Sequence, residues 1–396
     1  MAGRQQRIAI IGGGIGGLCA ALSLLQAGCD VQVYEQASAL GEIGAGIQIS
    51  PNASRILYRL GLANALAKTA VRPLASHQRG WDDGRTLQRS VMGDAMEAAF
   101  GTPYFHFHRA DLLRALIDAV PAERVHLRHR FEQLTDHGDA VEVRFANGAT
   151  ISADLLVGAD GIHSAVRAAL FGAEHPQFTG CIAYRGLVPA ERLGHLELEL
   201  TAGNWLGPGR HFVHYFVAAR RLLNFVAVIE QESWTGESWT DRGQVADALA
   251  AYDGWHPQVR GIIGAVDETF IWALFDRAPL PHWSVGRTTL LGDACHAMLP
   301  FMAQGAAQSI EDGATLAACL QRFDNDHMAD ALRLYETLRL PRASKLQAMS
   351  RANKTRFHLP DGPAQLARDA ELAVRGDRAI PTIGWLYAHD AGKLEP

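Results

Sequence analysis

The chain has 396 residues, 48% of them apolar, and a formal net charge of −5 at pH 7. That length suits two domains with a substantial core, the apolar share excludes a disordered chain, and the acidic balance gives no support to nucleic-acid or anionic-membrane binding. No ungapped apolar run reaches membrane-spanning length, and Cys19, Cys29, Cys181, Cys295 and Cys319 are scattered without a CxxC, as in reduced thiols of a cytoplasmic protein.

Residues 8–11 read Ile-Ala-Ile-Ile and predict a strand. Gly12-Gly13-Gly14-Ile15-Gly16-Gly17 follows at once, then an apolar helical run over 18–27, a second strand over 31–34, and Glu35. This is the order a dinucleotide-binding βαβ unit requires. Gly12 allows the tight turn, Gly14 lets the backbone approach a pyrophosphate, and Gly17 lets the helix pack close to the sheet. The helix N-terminus offers free N–H groups and partial positive charge. Glu35 lies 18 residues after Gly17, near the roughly 20 expected of a ribose-binding acid. Arg4 and Arg7 ahead of an apolar stretch also have the outline of a signal peptide, but five glycines break that stretch and no clean small-residue cleavage site follows.

Residues 41–52 form a second glycine-rich loop, with a helix predicted over about 53–60. Leu112, Leu113, Leu116 and Ile117 predict a helix over 108–119. Short alternating strands follow at 125–127, 141–143 and 155–157. The middle is richer in strand, at 181–188, 211–217, 223–229 and 269–275. A strand at 289–291 leads into Gly292-Asp293 and a helix over about 305–323. From 329 the chain is helical, with a Pro/Gly-rich, loosely patterned tail from 359. It therefore leaves a nucleotide domain, builds a separate sheet and returns.

In a strand over 211–217, alternation puts His211, Val213 and Tyr215 on one face and His214 on the other. The His211/His214 pair is then unsuited to sharing a metal, and no metal site is expected. His211 and Tyr215 are about 13 Å apart by strand rise.

Three segments carry a family likeness: the glycine loop with Glu35; Gly158-Ala159-Asp160-Gly161 through Arg167; and Leu291-Gly292-Asp293-Ala294-Cys295-His296 through Ala303-Gln304-Gly305-Ala306 to Glu311-Asp312. Together they resemble the single-component FAD-dependent aromatic hydroxylases, which are similar to p-hydroxybenzoate hydroxylase, over residues 8 to about 345. The resemblance implies an α/β protein: a Rossmann-like FAD-binding domain with an interleaved β-sheet substrate domain and C-terminal helices. The FAD domain would comprise 1–75, 104–180 and 279–345, the substrate domain 76–103 and 181–278, and a helical tail 346–396. FAD would then be the dinucleotide held by Gly12, Gly14 and Gly17, with Glu35 at its AMP ribose. Ile15, Gln36 and Ile47 are carried as further cofactor contacts. Asp293 would accept hydrogen bonds from the ribityl chain, and the N–H groups of Gly305 and Ala306 would face the flavin pyrimidine edge. Asp160 would touch FAD and a passing nicotinamide, and Arg109 would lie near the pyrophosphate. NADH or NADPH would dock transiently.

The implied chemistry is reduction of FAD by NAD(P)H, then reaction with O2 to a flavin C4a-hydroperoxide that attacks a hydroxylated ring, most simply a small aromatic acid. A base near the ring hydroxyl would raise reactivity by making phenolate. The segment around His211 resembles the 3-hydroxybenzoate 6-hydroxylase and salicylate hydroxylase branch, and 6-hydroxynicotinate 3-monooxygenases, so His211 and Tyr215 are the catalytic candidates. Pro300 and Phe301 depart from the polar groups of the 6-hydroxylases and the hydroxynicotinate enzymes. The apolar 299–302 segment and the tail lean toward a salicylate-like ring. Pro300 and Phe301 are candidate substrate contacts, as are Arg185 and Arg210 for a carboxylate. Tyr184 and Phe225 are pocket-wall candidates with core packing as the default. The alternatives are an N-heterocycle hydroxylase, a flavin oxidase or dehydrogenase on the same fold, and a non-enzymatic nucleotide-binding protein. The oligomeric state stays open, with a homodimer kept in view.

Overall fold

The computed structural model describes residues 5–41, 45–234, 242–375 and 379–394. Arg4 and residues 42–44 of the second glycine loop lie outside the described residues.

Strand Arg7–Ile11 is apolar and buried from Ile8 onward, which suits the centre of a parallel sheet covered on both faces. Asp30–Tyr34 pairs with it on one side and Leu155–Gly158 on the other, both parallel. Thr288–Leu290 extends the sheet beside Leu155–Gly158, and Val125–His126 extends it beside Asp30–Tyr34. Ser284–Val285 closes one edge in the antiparallel sense. The three sequence motifs thus leave the carboxyl ends of three adjacent parallel strands. In open α/β sheets that is the end where ligands bind.

Helix Ile15–Gln26 follows the first strand, and Gly305–Arg322 crosses it. An added Cβ at Gly313 would lie 2.8 Å from the Ala20 Cα, so this close approach needs the glycine.

An eight-stranded sheet stands apart, in the order Arg242–Gly243, Thr269–Asp276, Gln177–Pro189, Leu222–Glu230, Arg210–Val217, Thr201–Gly207, Ala75–Gly80 and Thr86–Val91. All its neighbours are antiparallel except Thr201–Gly207 with Ala75–Gly80. One face packs on a core containing Trp205, Phe212, Phe225, Tyr184 and Tyr252. Tyr184 and Phe225 therefore belong to that core rather than to a pocket wall. The other face looks back toward the parallel sheet. Helix Met328–Phe357 runs unbroken through the junction, with Pro341 inside it.

Several elements differ from the sequence expectation. Part of the second glycine loop is a strand, Gly46–Ile49, paired with Phe105–His108. Strands Ala75–Gly80 and Thr86–Val91 were not expected, because both faces carry polar residues and no apolar alternation marks them. The C-terminal helices that the resemblance implies are present beyond 359, as Pro363–Arg375 and Ala379–Tyr387, although the sequence there is only loosely patterned. In the first, the buried residues are Arg368, Asp369 and Leu372, so an ion pair replaces most of the apolar stripe that would have signalled a helix.

Candidate active site

A cavity of about 750 Å³ lies between the carboxyl end of the parallel sheet and the inner face of the eight-stranded sheet. On the parallel-sheet side it is lined by Gly14, Ile15, Ile47, Arg109, Gly161, Asp293, Gly305 and Ala306. On the other side stand Arg185, His211, Val213 and Tyr215, with Pro300 and Phe301 at the junction.

The glycine turn is built to receive a ligand. Gly12 has φ +110°, and a Cβ there would lie 2.4 Å from the Ala159 carbonyl oxygen. A Cβ on Gly17 would lie 2.0 Å from the Gly12 oxygen, so no larger residue fits. At Gly14, by contrast, an added Cβ meets nothing within 4 Å. Open space therefore lies directly before the N-terminus of a 12-residue helix. An 18-residue helix begins at Gly305 on the same cavity. Two helix N-termini and Arg109 on one wall suit a phosphate-bearing, electron-accepting group, so the residues present fit a bound FAD.

Glu35, Gln36, Asp160 and Arg210 stand outside the cavity lining. The Glu35 carboxylate accepts from the Gly13 and Ala37 N–H groups, each at 2.8 Å, and so braces the glycine turn. Gln36 is exposed and does not line the cavity. Asp160 does not line it either. Its carboxylate accepts from Ser164 Oγ and from the N–H groups of Ala165 and Val166, capping helix Ala165–Phe171. The wall there comes from Ala159, Gly161, Ile162 and His163. Arg210 also fails to reach the cavity, because its even register turns it from the His211 face; its Nε donates to the Pro208 carbonyl at 3.3 Å.

Asp293 opens a short helix after Gly292, which has φ +65°. A buried network anchors this turn. Asp312 accepts from the Gly292 N–H at 3.0 Å and from Arg339 Nε at 2.7 Å, and pairs with His296 Nε2 at 2.6 Å. Glu311 is held by Arg339 and by Arg342 Nε at 2.7 Å. Cys295, His296 and Asp312 offer ligand atoms within 4.8 Å of one another, but the Asp312 oxygens are already engaged. Burial alone would raise both carboxyls. Arg339 and Arg342 outweigh it at Glu311, and His296 and Arg339 at Asp312, so both are held down at about 2. Depressed carboxyls stabilise the fold fully above their ordinary values of 4.5 and 3.8, and that stability is lost as pH falls through the folded values. Melting temperature measured against pH should therefore fall steeply between about 4.5 and about 2. The Glu311→Gln variant should show a shallower acid slope; an equal slope would show that Glu311 does not contribute to the acid transition.

On the opposite wall, alternation along Arg210–Val217 presents His211, Val213 and Tyr215 to the cavity. His214 faces away, its ring against Gly203 and near Trp205. The His211 ring is buried, edge-on to Phe301 with ring centres 4.8 Å apart. Burial, then the neighbouring His358, lowers its pKa well below the usual value, so it is a neutral imidazole. Tyr215 is pushed up to about 12 by burial, against Arg185 and Gln48, and so keeps its proton. The Arg185 guanidinium lies 3.9 Å from the centre of the Trp272 ring. Burial lowers it to about 10, so it remains a cation. Its buried Nε has no hydrogen-bond partner among the described residues.

Sequence reasoning missed two features. The first is His358, whose Nε2 lies 2.6 Å from His211 Nδ1 across 147 residues. The second is an amide row: Gln88, Gln78 and Asn204 are cross-strand neighbours and all line the cavity. Gln78 Oε1 and Asn204 Oδ1 are buried without a partner among the described residues.

An FAD-fitting cradle facing a sheet with a neutral imidazole and a buried cation defines a flavoprotein of the hydroxylase type. The FAD binding domain family matches residues 5–350, and the chain belongs to it: it is a flavoprotein monooxygenase with FAD as its cofactor. It is 44% identical over 390 residues to 3-amino-4-hydroxybenzoate 2-monooxygenase of Streptomyces platensis, covering 98% of each chain. It is 38% identical over 352 residues to 6-hydroxynicotinate 3-monooxygenase of Bordetella bronchiseptica, covering 88% of this chain and 91% of that one. Among solved structures it resembles a salicylate hydroxylase substrate complex, with a TM-score of 0.83 and 28% identity over 98% of this chain and 96% of that one. Among the described residues, no helix is long and apolar enough to cross a membrane.

Proposed function

We propose that the chain uses NAD(P)H and O2 to hydroxylate an aromatic acid carrying a ring hydroxyl, with an ortho-aminophenol acid of the 3-amino-4-hydroxybenzoate kind as the first substrate to try. One observation carries this function: a single cavity joins the Gly14 cradle, Asp293 and Gly305 to the His211, Tyr215 and Arg185 face. Gly12, Gly14, Ile15, Gly17, Ile47, Arg109, Asp293, Gly305 and Ala306 would hold FAD, which when bound would carry the reducing equivalents of NAD(P)H to oxygen and activate it.

The chain's own residues position the substrate. Arg185, a buried cation with an open Nε, pairs with the carboxylate. His211 takes the proton of the ring hydroxyl, and Tyr215 donates to the same region. Phe301, Pro300 and Val213 exclude water. The amide row favours an amino substituent over an unsubstituted ring: Gln78 Oε1 and Asn204 Oδ1 are acceptors in search of a donor. The nearer likeness to the aminohydroxybenzoate enzymes points the same way, against the salicylate lean of the sequence.

The test is a panel of 3-amino-4-hydroxybenzoate, salicylate, 3-hydroxybenzoate, 4-hydroxybenzoate and 6-hydroxynicotinate, each with NADH and NADPH, read by product mass. The aminohydroxybenzoate should give the most coupled product. Arg185→Met should raise KM for the acid by about tenfold or more, as loss of a charge-assisted pair requires, at unchanged FAD content. An unaltered KM would remove Arg185 from the carboxylate site.

A further inference from the structure

We propose that His358 and Glu230 are positioning residues for His211: they fix its cavity-side nitrogen as an unprotonated base and lead the proton taken there out to solvent. This rests on the function proposed above. His211 Nδ1 lies 2.6 Å from His358 Nε2, and His358 Nδ1 lies 2.9 Å from Glu230 Oε1. Exposure rises along this line: both rings are buried, whereas the Glu230 side chain is 45% exposed. His358 caps the C-terminus of helix Met328–Phe357. Its carbonyl accepts from the Gly209 N–H at 3.0 Å, and the Gly209 carbonyl accepts from the Glu230 N–H at 2.9 Å. The helix end, the turn before His211 and the strand bearing Glu230 are thus tied together.

Proton positions follow from what each group can donate. A carboxylate only accepts, so His358 Nδ1 carries the proton and its Nε2 accepts. His211 Nδ1 must then donate, leaving the His211 Nε2 lone pair for the cavity. When the substrate O–H bond breaks, its proton forms a bond to His211 Nε2. The Nδ1 proton passes to His358 Nε2, the His358 Nδ1 proton passes to Glu230, and Glu230 gives it to water. One proton enters, one leaves, and no electrons change hands. The path runs in reverse when the product oxygen is reprotonated. Phe301 and Phe357 face His211, while Lys354 on the same helix and Arg210 on the neighbouring strand bear on His358 by charge. Burial lowers His358, Glu230 opposes that, and Lys354 and Arg210 add to it, so the proton does not rest there.

The test uses the FAD-loaded wild type with Glu230→Gln, Glu230→Ala and His358→Gln. Readouts are FAD content, kcat and KM across pH, and the absorbance of bound 4-hydroxy-3-nitrobenzoate as a phenol/phenolate probe. FAD content and KM should be unchanged, with kcat down by about a hundredfold, the lower end of a general-base contribution. The ionisation midpoint of the bound probe should rise in every variant. Because Glu230 is exposed, added formate should restore turnover to Glu230→Ala in proportion to its concentration. The relay is overturned if wild type hydroxylates an aromatic acid while the variants keep its kcat, pH profile and probe midpoint. If wild type turns over no aromatic acid, the proposed function falls, and an equal probe midpoint in wild type and variants still overturns the relay.

Discussion

His211→Ala should retain FAD and still oxidise NAD(P)H, yet form hydroxylated product about 10²–10⁴-fold more slowly, the range a positioned general base contributes. The neutral imidazole is the titratable group best placed to take a phenolic proton: it lines the cavity, and burial keeps it uncharged. Tyr215, pushed up to about 12, cannot serve as a base near neutral pH. NAD(P)H consumption in the variant should then yield peroxide rather than hydroxylated product. The ring also packs against Phe301 and Phe357. A melting measurement should accompany the kinetics, so that lost packing is separated from lost base. Product formation at the wild-type rate would remove His211 from the chemistry.

Arg339→Met should lower stability by about 3–5 kcal/mol, the usual consequence of removing one partner from a buried ion-pair network. Arg339 is fully buried and binds both Glu311 and Asp312. Methionine fills much of the volume but leaves two carboxylates in a site with 0% side-chain exposure. The effect should reach the cofactor side as well. Asp312 holds the Gly292 N–H and His296, and thereby the turn that presents Asp293 to the cavity. A lower urea midpoint together with weaker FAD retention is the expected result. Arg339→Lys should fall between, because an ammonium keeps the charge but not the forked geometry. An unchanged midpoint in Arg339→Met would show that the network contributes little.

Much of this architecture is legible in the sequence, for reasons that are local. Gly12, Gly14 and Gly17 announce the turn because only glycine satisfies a positive φ, an open cradle and a 2.0 Å approach in so short a stretch. Alternation along 211–217 is enough to sort His211, Val213 and Tyr215 from His214, since the strand period is two. What stays hidden is what depends on distant partners. Nothing near Asp160 tells whether its carboxylate turns to the cavity or to the helix it caps. Arg185 and Arg210 look equivalent until strand register separates them. The amide row on the edge strands reads like an ordinary solvated face, because polar residues lining a cavity and polar residues facing water give the same pattern. His358 and Glu230 lie 128 residues apart in the chain and meet only through the helix end.

Hydroxylation is tested most directly by product mass from the FAD-loaded protein turning over 3-amino-4-hydroxybenzoate with NAD(P)H under isotopically heavy dioxygen. The acid should stimulate NAD(P)H oxidation, and the product should carry one heavy oxygen atom. Substrate-independent NAD(P)H oxidation that yields only peroxide, with no hydroxylated product from this or any other acid of the panel, would contradict the proposed function.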